Sequence, residues 1–150
     1  MRTEDYSESL VVHFRRAEIL RAQALELLPL DLNERQLFDL ELLLNRGLYP
    51  LRGFMGQQDY ESVLSDMTLC DGTVWPIPIC LDVDDSFAGK IGPGQKIALN
   101  DREGFLLAVM TVSEIWKPDK KYEALKVYGT DDPGEHPGVA QLLDKVNSCY

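Results

Sequence analysis

A chain of 150 residues with 45% apolar content can bury one hydrophobic core and not two, so residues 1–150 are read as a single domain. With 25 acidic against 15 basic side chains the net charge is −10, which sets the chain against nucleic-acid backbones as partners. Its longest apolar run, 105–110, is far short of the roughly 20 residues that a membrane span requires. The acidic opening MRTEDYSESL lacks a signal-peptide pattern, and three cysteines without C-x-x-C spacing (Cys70, Cys80, Cys149) read as reduced thiols, so the expected location is the cytoplasm.

The apolar patch Leu10, Val11 and Val12 comes first, read as a strand or a docking arm. Residues 15–28 repeat apolar positions at spacings of three and four (Ile19, Leu20, Ala24, Leu27, Leu28), which predicts a helix stopped by Pro29 and exposing Arg15, Arg16 and Arg21. A second helix opens with Asn33 as N-cap, Gln36 completing a capping box and Leu32 stapled to Leu37. Arg46 falls in its last turn and Gly47 is expected to take positive φ beyond it. Its second half is apolar nearly all round (Phe38, Leu40, Leu42, Leu43, Leu44), which predicts a central, buried helix.

Next comes a loop, 49–56, and a third helix with Tyr60, Val63, Leu64 and Met67 on one face. After a turn at Asp71 and Gly72 the period drops to two: Trp75, Ile77, Ile79, Leu81 and Val83 predict a half-buried strand whose Pro76 and Pro78 confine it to a sheet margin. Gly92, Pro93 and Gly94 form a turn, 96–100 a short strand, 101–104 a hairpin loop and 105–112 a longer strand. Asp119 caps a helix running to Val127 with Gly129 as its stop, and His136 with Pro137 opens a last helix along Val139, Leu142, Leu143 and Val146. The sum is α+β: N-terminal helices against a small, barrel-like antiparallel sheet.

Motifs for chemistry are sparse. No phosphate-cradling loop and no nucleophile elbow is present, and the two histidines lie far from each other and from the cysteines. Asp82, Asp84 and Asp85 offer oxygen ligands for a divalent cation but lack the glycine and distal glutamate of a calcium loop, so they read as solvated charges, as do Asp131, Asp132 and Glu135. Catalytic, cofactor-binding and metal residues are therefore expected to be none. Loop 49–56 is the exception in kind: Tyr49, Pro50, Leu51, Arg52, Phe54 and Met55 combine large apolar groups with a cation, a composition suited either to folding back into the core or to contacting another domain.

One resemblance covers most of the chain. Arg35, Gln36 and Leu37, the run Asp39 to Asn45, Gly47, Pro50, Leu51, Gly53, Phe54, Met55, Asp71, Gly72, Trp75, Pro76, Pro78, Leu81, Asp82 and Val83 occur in the order of the N-terminal domain of ATP sulfurylase (sulfate adenylyltransferase), which the chain resembles. Later matches are Pro118 to Lys120, Tyr128 to Thr130, Asp132 with Pro133, and His136 to Val139. The Gly-Leu-Tyr-Pro-Leu and Gly-Phe-Met-Gly wording is similar to bacterial enzymes fused to an adenylylsulfate kinase. The resemblance implies a PUA-like pseudobarrel and a part in converting ATP and sulfate to adenylyl sulfate and pyrophosphate, in sulfate assimilation. It places ATP and magnesium in a following α/β domain marked by Gln-x-Arg-Asn-Pro and His-x-x-His, neither of which this sequence contains. It implies as partners that catalytic domain, in the same parent chain, and further copies of the parent in a homo-oligomer, with neither nucleic acid nor membrane. Val146 and Asn147 resemble the start of the family's lead-in to the catalytic domain, and a chain of net charge −10 without a cluster of cationic donors is expected to be inactive alone. The alternative reading is a free-standing PUA-like module binding RNA or a protein, and a third, kept for completeness, is a metal-dependent enzyme at Asp82 to Asp85.

Overall fold

Local chemistry fixes the helix ends in the computed structural model, which describes residues 9–143 and 146–150. Among the described residues nine elements follow in chain order: α1 (Phe14–Ala24), β1 (Leu28–Asp31), α2 (Glu34–Leu44), α3 (Gln57–Asp66), α4 (Asp85–Ala88), β2 (Lys96–Asn100), β3 (Leu106–Thr111), α5 (Lys120–Tyr128) and α6 (Pro137–Leu142). They divide between two compact units, Met1–Phe54 with Gly94–Val112, and Met55–Pro93 with Ser113–Tyr150.

The first unit is built on a three-stranded sheet in the order β1-β2-β3. β2 is central and its Ile97, Ala98 and Leu99 are all buried, the pattern of a strand covered on both faces. It pairs antiparallel with β3, Lys96 opposite Thr111, and parallel with β1, Leu28 opposite Ile97. The sheet is thus mixed rather than purely antiparallel, because residues 28–31, expected at the end of the first helix, form a strand. Pro29 explains this: it disfavours helix at the preceding Leu28, and its missing N–H is tolerated only at a sheet edge, which is where β1 lies. The ladder runs on into Leu32, whose N–H donates to Asn100 O at 2.9 Å. α1 packs against β3 but buries none of its own residues.

α2 carries the expected capping box: Asn33 Oδ1 accepts from Gln36 N, and Gln36 Oε1 accepts from Asn33 N, each at 3.0 Å. Its interior face is Gln36, Leu40 and Leu43, while Phe38 and Leu42 are 59% and 41% exposed, so the helix is amphipathic and not covered all round. Arg46 rather than Gly47 takes the left-handed conformation, φ 68°. Its side chain offsets the roughly 1–2 kcal/mol that conformation costs a non-glycine residue: Nη1 donates to Leu51 O at 2.9 Å and the guanidinium lies 5.1 Å from the centre of the Tyr49 ring.

In the second unit α3 begins at Gly56, which has no side chain to cap it. Glu114 supplies the cap from far along the chain, its Oε1 accepting from Gln57 N at 2.7 Å. A Cβ at Gly56 would stand 2.2 Å from that oxygen, so glycine is what lets the carboxylate approach. Tyr60, Val63 and Leu64 are buried as expected, but Met67 sits beyond the helix end at φ 55° and 56% exposed. Residues 75–83 form no strand: Thr68 bridges Val74, Val83 bridges Cys149, and the run between, with two donors removed by Pro76 and Pro78, makes no ladder. Its burial does not alternate either, since Ile79, Cys80 and Leu81 are all buried and Ile77 is 41% exposed. Asp119 caps α5 by accepting from Tyr122 N at 3.0 Å, and Gly129 ends it at φ 76°. Pro137 occupies the first turn of α6.

The cap on α2 is the strongest local signal, and its removal has a defined cost. Asn33→Ala is expected to lower stability by about 1 kcal/mol, measured as a shift in the urea midpoint.

Candidate functional site

The polar centre of the second unit is Glu123, only 7% exposed, on the inner face of α5 beside the fully buried Ala124. Its Oε2 accepts from the phenols of Tyr60 on α3, at 2.9 Å, and of Tyr150, at 2.8 Å. The two tyrosine rings and Trp116 meet in three tilted or edge-on contacts with centres 5.6–5.8 Å apart. Such aromatic pairs add about 0.5–1.5 kcal/mol each beyond area burial. Burial, followed by the charge of Glu123, pushes both phenols far above their ordinary range, so they remain protonated donors. Tyr150 is held in the backbone too, exchanging two hydrogen bonds of 2.9 Å with Trp116, while Cys149 pairs with Val83.

Against this centre lies a groove of about 640 Å³ between α3 and residues 116–122. Tyr60, Leu64, Trp116 and Pro118 supply an apolar and aromatic floor, and Glu61, Asp66 and Asp119 with Lys117 a charged rim of net negative sign, with Cys70 exposed at its margin. The Cys70 thiol is raised by its hydrogen bond to Asp59 and that of Cys149 by burial, so neither is set up as a thiolate nucleophile.

The acidic cluster of the sequence comes apart into structural roles. Asp84 caps α4 by accepting from Phe87 N at 2.7 Å, and Asp82 accepts from Asn147 Nδ2 at 3.0 Å. Asp85 pairs with Lys117 Nζ at 2.8 Å and accepts from the Cys149 thiol at 3.3 Å. The Lys117 bond, then the Cys149 bond, lower its carboxyl to about 2. Among the described residues no three His, Cys, Asp or Glu side chains converge as metal ligands. His136 is a helix cap, its Nδ1 accepting from Gly138 N at 3.0 Å, and it stacks at 4.5 Å on Tyr128. The arrangement is one of binding and bracing, with no activated nucleophile among these groups.

Of the six loop residues singled out in the sequence, Leu51 and Met55 are buried, Tyr49, Pro50 and Phe54 are half-buried, and Arg52 is exposed. Met55 is fixed by its neighbour in the second unit, donating to Ile79 O at 2.8 Å. In the first unit Arg52 and Phe54 border an apolar cavity of about 450 Å³ with Leu20, Leu43 and Val109. The Glu123 centre and the Glu114 cap escaped sequence reading. Their only trace is an acidic residue at an inward spacing of α5 and a glycine where α3 needs a capping side chain.

A family model described as a PUA-like domain matches residues 5–150. The sulfate adenylyltransferase of Kluyveromyces lactis is 46% identical over 137 residues, 91% of this chain and 27% of that protein. That of Saccharomyces cerevisiae is 44% identical over 129 residues, 86% of this chain and 25% of that protein. The chain therefore spans about a quarter of the length of the curated relatives it matches. Among solved structures, a protein described as a hexameric APS kinase from Thiobacillus denitrificans superposes with a TM-score of 0.67 and 39% identity, over 74% of this chain and 22% of its own.

Two outcomes follow from these contacts. Glu123→Leu, which strands two buried phenols, is expected to cost about 3 kcal/mol or more in urea titration followed by tryptophan fluorescence, and Glu123→Gln, which keeps an acceptor, clearly less. Because Asp85 is held below its ordinary 3.8, it favours the fold above that value and ceases to do so as pH falls through about 2. Lys117→Met is expected to move the Asp85 titration, followed by carboxyl NMR, up from about 2 toward 3.8.

Proposed function

This chain belongs to the PUA-like domain family, and we propose that it is the non-catalytic, N-terminal part of a sulfate adenylyltransferase, supporting a catalytic domain that joins ATP and sulfate into adenylyl sulfate and pyrophosphate. The observation that carries this reading is 44–46% identity over nearly the whole chain to proteins of that name, about a quarter of whose length it matches. This reading gives the chain no part in holding ATP or magnesium, an assignment supported by the lack of a phosphate-cradling loop in the sequence. Those groups are assigned to the remaining three-quarters of the parent. Sulfate assimilation in the cytoplasm is the setting that goes with this activity, and no described helix is long and apolar enough to cross a membrane.

Loop 49–56 is the face assigned to the catalytic domain. Leu51 and Met55 anchor it, and Tyr49, Pro50, Arg52 and Phe54 present it. Similarity to part of a chain described as a hexameric APS kinase supports two further assignments, a parent that also carries a kinase domain and an assembly of several copies.

A chimera tests the central claim. The matching segment of the Saccharomyces cerevisiae sulfate adenylyltransferase is replaced by this chain, and pyrophosphate release from ATP and sulfate is measured beside the 150-residue chain alone. The chimera is expected to be active and the chain alone inactive. Activity of the chain alone would refute the non-catalytic reading, and a folded but dead chimera the supporting one.

A further inference from the structure

Two surfaces, one in each unit, carry opposite charge beside apolar groups. α1 is 11 residues long and none of them is buried. A helix of that length is marginal in water without packing on an amphipathic face, yet Phe14 is 70% and Ile19 49% exposed, and Leu25 at its cap is 88% exposed. Exposed apolar side chains grouped in this way mark a contact surface. α1 also carries Arg15, Arg16 and Arg21 against Glu18 alone, a basic helix in a chain of net charge −10. The groove in the second unit has the opposite net character, with its aromatic floor at Tyr60 and Trp116 and with Glu61, Asp66 and Asp119 outnumbering its one lysine, Lys117, which is paired with Asp85.

We propose that α1 of one copy docks into the α3 groove of another copy. The apolar side chains of α1 meet the aromatic floor, and Arg15 and Arg16 face the acidic rim, while Arg21 borders the cavity of its own unit. Charge selects this occupant: an acidic groove on a strongly acidic chain repels most of a second copy's surface and accepts a basic helix. The contact joins two different faces, so it is heterologous, and it closes only when copies form a ring. The inference rests on the self-association proposed above and names its surfaces.

The test uses the 150-residue chain and sedimentation equilibrium over a range of concentrations. Reversing charge on one surface, in Arg15→Glu with Arg16→Glu, or on the other, in Glu61→Arg with Asp66→Arg, is expected to weaken self-association by about a hundredfold or more. Mixing the two variants is expected to restore it, since each then meets a partner of opposite charge at both contacts. Circular dichroism verifies that the variants fold. A second measurement does not depend on charge reversal: Ala22→Cys on α1 is oxidised mildly, and the disulfides are mapped by mass spectrometry. The expected product is an intermolecular bond to Cys70, which is exposed at the groove, whereas Cys80 and Cys149 are buried. A wild-type chain that stays monomeric throughout overturns this contact, while the assembly proposed for the parent is tested separately, by sedimentation of the chimera. Variants that associate as tightly as wild type, a mixture that fails to recover, or cross-links that bypass Cys70 overturn the contact alone.

Discussion

One carboxylate oxygen, Oε2 of Glu123, accepts from two phenols, Tyr60 at 2.9 Å and Tyr150 at 2.8 Å. A carboxylate taken out of water without partners would cost several kcal/mol, so its burial is tolerable only because these donors converge on it. The requirement is reciprocal, since a phenol buried without an acceptor is also penalised. Three segments distant in sequence, α3, α5 and 146–150, are thereby held to one geometry. The aromatic contacts with Trp116 and the groove beside α3 both depend on it.

The second unit repeats this economy elsewhere. Glu114 caps a helix that has no cap of its own, and Asp82 and Asp85 each accept bonds from residues 147–149. Side chains that a motif search weighs as ligands or catalysts are here committed to bracing. That allocation fits the supporting role proposed above.

Legibility followed locality. The capping box at Asn33 and Gln36, the turn at Gly72, the strand 96–100 and the helix from Asp119 to Gly129 depend on neighbours within a few residues, and the sequence displays those neighbours. Readings failed where a distant partner decided the outcome, or where a nearby side chain outweighed the usual preference of its neighbour. Leu28 looked helical by spacing but is a strand residue because β2 is there to pair with it. The alternation from Trp75 to Val83 looked like a strand, but its prolines prevent a ladder. Glycine at 47 is the expected left-handed residue, yet Arg46 takes that role, its guanidinium held by Leu51 O and the Tyr49 ring. The loop 49–56 was recognisable as unusual, but which of its side chains stay outside was not written in its composition.

The hydrogen bonds that bind Cys149 to Val83 and Tyr150 to Trp116 carry a consequence for synthesis on the ribosome. The first unit has all its strands once Val112 has emerged, with β2 and β3 already adjacent in sequence. The second unit has neither the partner for Val83 nor the second phenol for Glu123 until residues 149 and 150 leave the exit tunnel. During that interval the buried residues of α3, together with Cys80 and Leu81, lack part of their cover, and nascent chains in this condition are substrates for chaperones. The chain's topology thus lets the first unit complete its sheet before the second gains its last partners.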